Sequence, residues 1–321
     1  MLRFVLRRAA YGLLVLWLVT TTVFLLVFAG SSNPAATLAG RQATAAQVEL
    51  VRERLGLADP LYEQYFRFLG GLLHGDLGYS FYSNQPVSEY ILTLLPRTAS
   101  LVLGAAVLWL AVGLVVGVFS ATHPRGLLDR LATGFVLAGL SMPTFLVGLL
   151  LLYFLFFRLN TEFGIDLFPP PGYASIEEAG VGEWARHLIL PWITLAFVQQ
   201  AIYVRLTRSS MLEVLGEDYI RTARAKGLAE GRVVYRHGLR AGMTPVLSQF
   251  GVDIGQLMGG VLVTETVFGL QGMGQAAVSA VTTGDLPVIM GVVIVISLFI
   301  VVANLVVDVL YGVVDPRVRV S

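Results

Sequence analysis

The sequence predicts an all-α, polytopic membrane protein with six transmembrane helices and both termini on the cytoplasmic side. Three observations carry this reading. Of the 321 residues, 56% are hydrophobic and only 13% charged, against about 25% charged in soluble domains. Six apolar stretches approach the roughly 20 residues that a spanning helix needs. The basic residues collect in the segments that six crossings would leave on one face of the membrane.

The six stretches are Ala9–Ala29, Thr98–Ala121, Leu131–Phe157, Leu188–Val204, Thr244–Phe268 and Leu286–Leu310. The first three carry no charge. The fourth is short and contains Pro191, Gln199 and Gln200, and the fifth carries Asp253 and Glu265. Met142-Pro143 predicts a kink in the third, because proline removes a helical hydrogen bond. The first apolar run is longer than the roughly 7–15 residues of a signal peptide, and no A-x-A site follows it. It reads as an uncleaved anchor. Arg3, Arg7 and Arg8 precede the first span, Arg125 and Arg130 sit between the second and third, and Arg317 and Arg319 follow the sixth. Arg205, Arg208, Arg221, Arg224, Lys226, Arg232, Arg236 and Arg240 crowd the connection between the fourth and fifth. Most acids fall on the other side, including Glu162, Asp166, Glu177, Glu178 and Glu183.

Two domains follow from this layout. Residues 1–96 hold the first span and a long external helical segment. Residues 97–314 hold the remaining spans and a cytoplasmic loop at 205–243. In the external segment, Thr44 and Gln47 form a capping box, and Val48, Val51, Leu55 and Leu57 give an amphipathic helix ending near Gly56. A second helix is predicted over Leu61–Leu73, with Tyr62, Tyr65, Phe66 and Leu69 as its apolar stripe, broken by the Gly75–Gly78 sequence GDLG. Val87, Tyr90, Ile91, Leu94 and Leu95 mark a third, short helix. The segment reads as a lid packed on the bundle; a landing site for an external protein is the second reading. Pro169-Pro170-Pro171-Gly172 predicts a stiff, extended external spacer. No internal repeat is visible.

Composition narrows the function classes. A net charge of +1 provides no field to gather nucleic acid, and the absence of Cys rules out a disulfide framework or a thiolate metal site. Residues 217–245, EDYIRTARAKGLAEGRVVYRHGLRAGMTP, interrupt the apolar pattern and include Lys226, the chain's only lysine. Glu217 and Arg221 are spaced i,i+4 for a helix pair. Tyr219, Ile220 and Ala223 share one face. Gly227 ends or bends this helix, and a second helical run over Arg232–Arg240 leads towards Pro245. Two short helices around a glycine, with mixed charge, predict a protein-docking surface. A segment bound to anionic lipid is the alternative.

YIRTARAKGL at 219–228, followed by RHGLR at 236–240 and Pro245, resembles the coupling loop of binding-protein-dependent ABC importer permeases. The similarity is to the B-type subunit of the dipeptide/oligopeptide/nickel branch. The N-terminal RR, GDLG at 75–78, LVTETVF at 262–268 with Gly272 and Gly274, Asp285-Leu286-Pro287 and DVLYGVVDPR at 308–317 also resemble that subunit, so the similarity spans nearly the whole chain. Arg221-Thr222-Ala223 stands where the general importer pattern reads E-A-A, as is common in the peptide branch. Ala241-Gly242 replaces a frequent Asn-Ala.

The resemblance implies a type I ABC importer transmembrane domain in a bacterial inner membrane. It implies a peptide permease with three kinds of partner besides the bilayer. These are a second homologous permease, two cytoplasmic ABC ATPases that bind ATP and Mg, and an extracytoplasmic peptide-binding protein. It assigns ATPase coupling to Glu217, Asp218, Tyr219, Arg221, Thr222, Ala223, Arg224, Ala225, Lys226, Gly227 and Leu228. The chain has no G-x-x-x-x-G-K-S/T loop of its own, so no enzymatic activity, cofactor or metal is expected on it. Nucleic acid is not an expected partner.

Ionisable groups inside a membrane cost about 2.5–3.5 kcal/mol each on insertion scales, so they face protein or water. Gln249, Asp253 and Gln256 form one polar stripe, read as facing the translocation path. A hydrogen-bond network with a neighbouring helix is the equal alternative. Gln199 and Gln200 are placed on the path from the fourth span. Glu265 and Phe268 are assigned to an external gate. Asp308 is expected to anchor an Arg or a helix N-terminus. Packing explains Gly255, Gly259 and Gly260. A secondary transporter using Asp253, Glu265 and Asp308 as ion carriers is the competing class, although the inverted repeat typical of such carriers is missing. An intramembrane enzyme is disfavoured: HExxH and G-x-S-x-G are absent, and His74, His123, His187 and His237 fall outside the predicted spans.

Overall fold

A computed structural model describes residues 2–29, 35–36, 43–54, 56–57, 59–80 and 82–314, with the side chains of residues 2, 140, 256, 258–260 and 310–314 outside the description. In chain order the helices are α1 (Leu2–Phe24, extended by a π-helical turn Leu25–Ala29), α2 (Ala45–Arg54) and α3 (Leu61–Leu73). A two-stranded antiparallel ribbon follows, β1 (Tyr79–Ser80) and β2 (Gln85–Pro86), with Tyr79 opposite Pro86. Then come α4 (Val87–Thr122), α5 (Leu127–Ser141), α6 (Thr144–Leu151), a π-helical stretch Leu152–Arg158 and α7 (Leu159–Phe163). The chain continues through α8 (Ile176–Leu215), α9 (Asp218–Ala225), α10 (Glu230–Arg232), a π-helical Val233–Gly238 and α11 (Leu239–Gly260). It closes with α12 (Leu262–Val267), α13 (Met273–Thr283) and α14 (Leu286–Val314).

Among the described residues five helices are long and apolar enough to cross a membrane: Arg3–Phe28, Val87–Thr122, Thr144–Phe163, Ile176–Leu215 and Leu286–Val309. The predicted fifth span, Thr244–Phe268, is helical but divided at Val261 into α11 and α12. Its Gln249, Asp253, Gln256 and Glu265 lower its hydropathy, so length and composition alone do not pick it out.

Several predicted boundaries move for identifiable reasons. The third external helix is not separate: Val87–Leu95 is the first part of the 36-residue α4, which continues through Pro96. The third span is cut, not kinked. Met142 is extended (φ −101°, ψ 128°) and Pro143 leads into α6, because the residue before proline is driven from helical angles. The fourth span is the middle of a 40-residue helix capped by Ser175, whose side chain accepts from the Glu178 N–H, and it is bent at Gly180 (φ 79°, ψ 166°).

The chain divides into two compact units. The first holds Ala99–Leu270 with the described parts of Met1–Leu6 and Ala303–Ser321. Its hub is α8, against which α5, α6 and α11 pack. Glycines set the approach of α4 to α8. A Cβ on Gly104 would enter the Trp192 ring, one on Gly113 would strike Tyr203, and one on Gly117 would lie 2.5 Å from the Thr207 Cβ. Small residues let membrane helices approach in this way and bring their backbones into van der Waals contact. The half-buried Trp192 indole N–H also donates to the Ser100 carbonyl at 2.9 Å.

The second unit holds Arg7–Thr98 and Gln271–Val302. The capping box forms as predicted: the Thr44 N–H donates to Gln47 Oε1 at 2.8 Å, and the Gln47 N–H donates to Thr44 Oγ1 at 3.3 Å. Val51 is fully buried with Val27 and Met290, flanked by Val48 and Leu57. Leu55 lies outside the described residues. On α3 the expected stripe is only partly right. Tyr65 and Phe68 pack on Phe24, at ring distances of 5.2 and 5.5 Å, whereas Tyr62 and Phe66 are 64% and 67% exposed. The aromatic end of α1 selects the Tyr65/Phe68 face, and the Thr21 and Tyr65 hydroxyls, 2.7 Å apart, fix the register.

Candidate functional site

The loop between α8 and α11 is a packed corner. The α8 helix stops at Leu215, and Glu217 turns extended (ψ 150°) as the N-cap of α9. Gly227 stops α9 in the left-handed region at φ 75°, where the missing Cβ removes the steric cost. The Gly227 N–H then reaches the Arg224 carbonyl at 2.9 Å. Ile220, Ala223 and Val233 are buried together, flanked by Leu215 and Leu228. That contact holds α9 by its apolar face.

The other face is charged and open. Side-chain exposure is 95% for Asp218 and 71% for Arg221. Arg221 pairs with Asp218 at 3.2 Å, not with Glu217 as predicted; as the extended N-cap, Glu217 is out of helical register with Arg221. Tyr219 also departs from the expected face, being 46% exposed while Ile220 and Ala223 are buried. Burial and then the nearby Glu217 push its phenol pKa up. Arg224 forms a fork with Glu230 across the turn, at 2.7 Å from Nη2, and holds that carboxyl below its ordinary range. Thr222 donates back to the Asp218 carbonyl at 2.9 Å, and Ala225 and Lys226 close the exposed end of the helix. The run predicted over Arg232–Arg240 is helical, but it starts at Glu230 and passes into α11 without a break. Gly238 lets this segment meet Leu215 and Met211 of α8, and Ser210 donates to the Gly242 carbonyl at 2.9 Å.

Asp253 is 4% exposed. Its carboxylate accepts from the Tyr203 hydroxyl on α8 at 2.9 Å and from the Gln249 amide at 2.8 Å. Trp109 and Phe250 enclose Tyr203 at ring distances of 6.2 and 6.4 Å. The Gln256 side chain lies outside the described residues. Gln199 is half-buried. Gln200 lies at a cavity of about 460 Å³ whose lining includes Val112, Val116, Phe119, Leu131 and Phe135, but neither Gln249 nor Asp253. The predicted polar set thus divides between two places. Glu265 and Phe268 are both buried, at 0% and 2% exposure. Asp308 is half-buried, and DVLYGVVDPR runs beyond the described residues.

Sequence reasoning missed one cluster. Arg208, counted with the cationic loop, donates to Asp129 through Nε at 2.7 Å and Nη2 at 3.1 Å. Asp129 also accepts from the Ser120 hydroxyl and from the Arg125 N–H at 2.9 Å. The guanidinium, then the hydroxyl and the amide, hold this carboxyl far below the ordinary carboxylate range. A sequence signal was available: Asp129 is the only acid between Glu89 and Glu162, and it stands on the cationic side.

Comparison with known proteins fits this architecture. Residues 113–320 match the family described as binding-protein-dependent transport system inner membrane component, and residues 1–102 match the corresponding N-terminal family. A probable peptide ABC transporter permease of Sinorhizobium fredii is 38% identical over 316 residues, covering 98% of this chain and 99% of the relative. A dipeptide transport system permease of Escherichia coli is 38% identical, with 99% of each chain covered. A glutathione transport system permease of Escherichia coli is 37% identical over the same shares. These similarities set aside the ion-coupled carrier. The chain belongs to the inner-membrane permease components of binding-protein-dependent ABC transport systems.

Proposed function

We propose that this chain forms half of the translocation pathway of an ATP-driven importer of di- or oligopeptides, with α9 as its ATPase-docking helix. The observation that carries this reading is the two-faced α9. Ile220 and Ala223 pin it to the chain, while Arg221, Arg224 and Lys226 are presented outward. A short helix held by its apolar face transmits a push as a rigid body. The peptide substrate is taken from the similarity to peptide, dipeptide and glutathione permeases.

In this reading six spans leave both termini in the cytoplasm, with α11–α12 as the fifth crossing. A second homologous permease completes the path, two ATPases bind ATP and Mg, and an extracytoplasmic binding protein delivers the peptide. This chain has no phosphate-binding loop and hydrolyses nothing itself. Coupling is assigned to residues 217–228, the path to Gln199, Gln200, Gln249, Asp253 and Gln256, and the external gate to Glu265 and Phe268.

The test is reconstitution of the complete transporter in proteoliposomes, with ATP hydrolysis and dipeptide uptake measured together. Gly227→Pro, or charge reversal at Arg221 and Arg224, is expected to leave the chain in the membrane and separate hydrolysis from uptake. Normal uptake in both variants would sink the docking assignment.

A further inference from the structure

We propose that Arg208 and Asp129 are positioning residues that carry movement of the docking corner into the helix pair α4–α5. Uptake per ATP then depends on this ion pair as well as on the loop. The inference rests on the docking role given to α9.

Arg208 lies seven residues before Leu215, or about 10 Å along α8 at 1.5 Å per residue. Leu215 packs against the buried Ile220/Ala223/Val233 cluster and against Gly238. The last two turns of α8 therefore belong mechanically to the docking corner. At Arg208 the helix is joined to two further elements. Asp129, in the first turn of α5, receives both guanidinium bonds. It also receives the hydroxyl of Ser120 on α4 and the N–H of Arg125 in the α4–α5 turn. Arg208 Nε lies 3.1 Å from Ser120 Oγ as well, closing a triangle.

Between α4–α5 and α8 this joint is directional where the adjoining contacts are not. The adjoining α4–α8 contact is Gly117 against Thr207, and the next is apolar: Val118, Ala121, Met211 and Val234. Small and aliphatic surfaces are held by shape and dispersion and carry no directional bond. A planar guanidinium gripping a carboxylate through two bonds fixes both distance and orientation. The Asp129 side chain is 8% exposed and that of Arg208 33%, so solvent screens the pair only in part.

The complete transporter, with partner permease, ATPases and binding protein, would be reconstituted in proteoliposomes and supplied with labelled dialanine. Hydrolysis and uptake would be read on the same vesicles for Asp129→Asn, Arg208→Gln, Arg208→Lys and the exchange Asp129→Arg with Arg208→Asp. We expect hydrolysis within about threefold of the parent and uptake per ATP at least tenfold lower in Asp129→Asn and Arg208→Gln. Arg208→Lys, which keeps the charge and loses the fork, should fall between, and the exchange should recover a clear part of the ratio. An unchanged ratio in these variants overturns the proposal. So does a parallel loss of hydrolysis, uptake and assembled complex that the exchange does not reverse, since that marks a purely structural pair. If Asp129→Asn and Arg208→Gln fail to assemble, Arg208→Lys decides: a normal ratio overturns the inference, a lowered one supports it. Gly227→Pro is run alongside. Uncoupling there with normal clamp variants removes only this inference; normal uptake there removes the docking reading itself.

Discussion

The Tyr203 hydroxyl donates to the Asp253 carboxylate at 2.9 Å, tying α8 to α11 inside the apolar part of the chain. Gln249 supplies a second donor one turn away. A carboxylate buried at 4% exposure is tolerable here because both neighbours donate to it. Tyr203→Phe removes one donor and leaves the ring packing. It should cost about 0.6–2 kcal/mol, given the small average for hydrogen bonds between membrane helices. Thermal unfolding in detergent would register this as a modest loss. Asp253→Asn should unfold near the parent temperature. If Asp253 also serves the path, its uptake should drop further than that of Tyr203→Phe at equal abundance; equal uptake would leave Asp253 with packing alone.

Gly227 and Gly231 form a matched pair in the corner between α8 and α11. An added Cβ meets nothing within 4 Å at either position, but only Gly227 has positive φ, at 75°. Gly227→Ala should therefore cost about 1–2 kcal/mol of local conformation. Gly231→Ala should gain up to about 1 kcal/mol of helix propensity. Proteolysis of the α9–α10 turn in detergent is expected to speed up in the first and slow in the second. Equal rates would show that Gly227 is not the element holding the turn.

The Arg224–Glu230 fork is exposed on both sides, and exposed pairs contribute about 0–1 kcal/mol to folding. Arg224→Glu should thus leave thermal stability within about 1 kcal/mol of the parent while weakening ATPase binding severalfold. Glu230→Arg in the same chain should restore the fork without restoring binding if Arg224 itself meets the partner. Binding that returns with the fork would instead assign Arg224 to shaping the turn. Affinity measured in detergent separates the two.

Asp285 accepts the Ser80 hydroxyl at 2.5 Å, and its carboxyl is pushed up from the ordinary value chiefly by burial. A raised folded-state pKa favours the protonated form. The contribution to stability is thus fully present below the unfolded value near 3.9 and is lost as pH rises through the folded one. Asp285→Asn should keep the Ser80 bond and be at least as stable as the parent at pH 7. It should also flatten the part of the stability–pH curve that this group contributes. A parent and variant with superimposable curves would contradict burial as the cause of the shift.

Asp129 works in the opposite sense. Its carboxyl is held low by Arg208, so its contribution is present above the unfolded value and is lost only as pH falls through the depressed folded one. Between pH 5 and 8 the Arg208 clamp should be indifferent to pH. Uptake per ATP that varied over that range in the parent, and not in Asp129→Asn, would contradict this.

The class of this protein was legible in the chain before any fold was known. Apolar runs of membrane length, arginines on alternate connections and the Thr44/Gln47 box required no folded context, because each depends on spacing and transfer energy along a single segment. The helix–turn corner between α8 and α11 was legible for the same reason, and Gly227 announced its own turn. Which faces meet was not legible. Tyr62 and Tyr65 are equally plausible on a helical wheel, and only the aromatic end of α1 selected Tyr65 and Phe68. Gln200 and Asp253 look alike as polar groups in apolar spans. Tertiary packing sent one to a cavity and the other to Tyr203. Arg208 stood among many arginines until folding brought it to an acid 79 positions away. Pairings of that range follow from how close two helices can approach, and that was decided where Gly104, Gly113 and Gly117 meet Trp192, Tyr203 and Thr207.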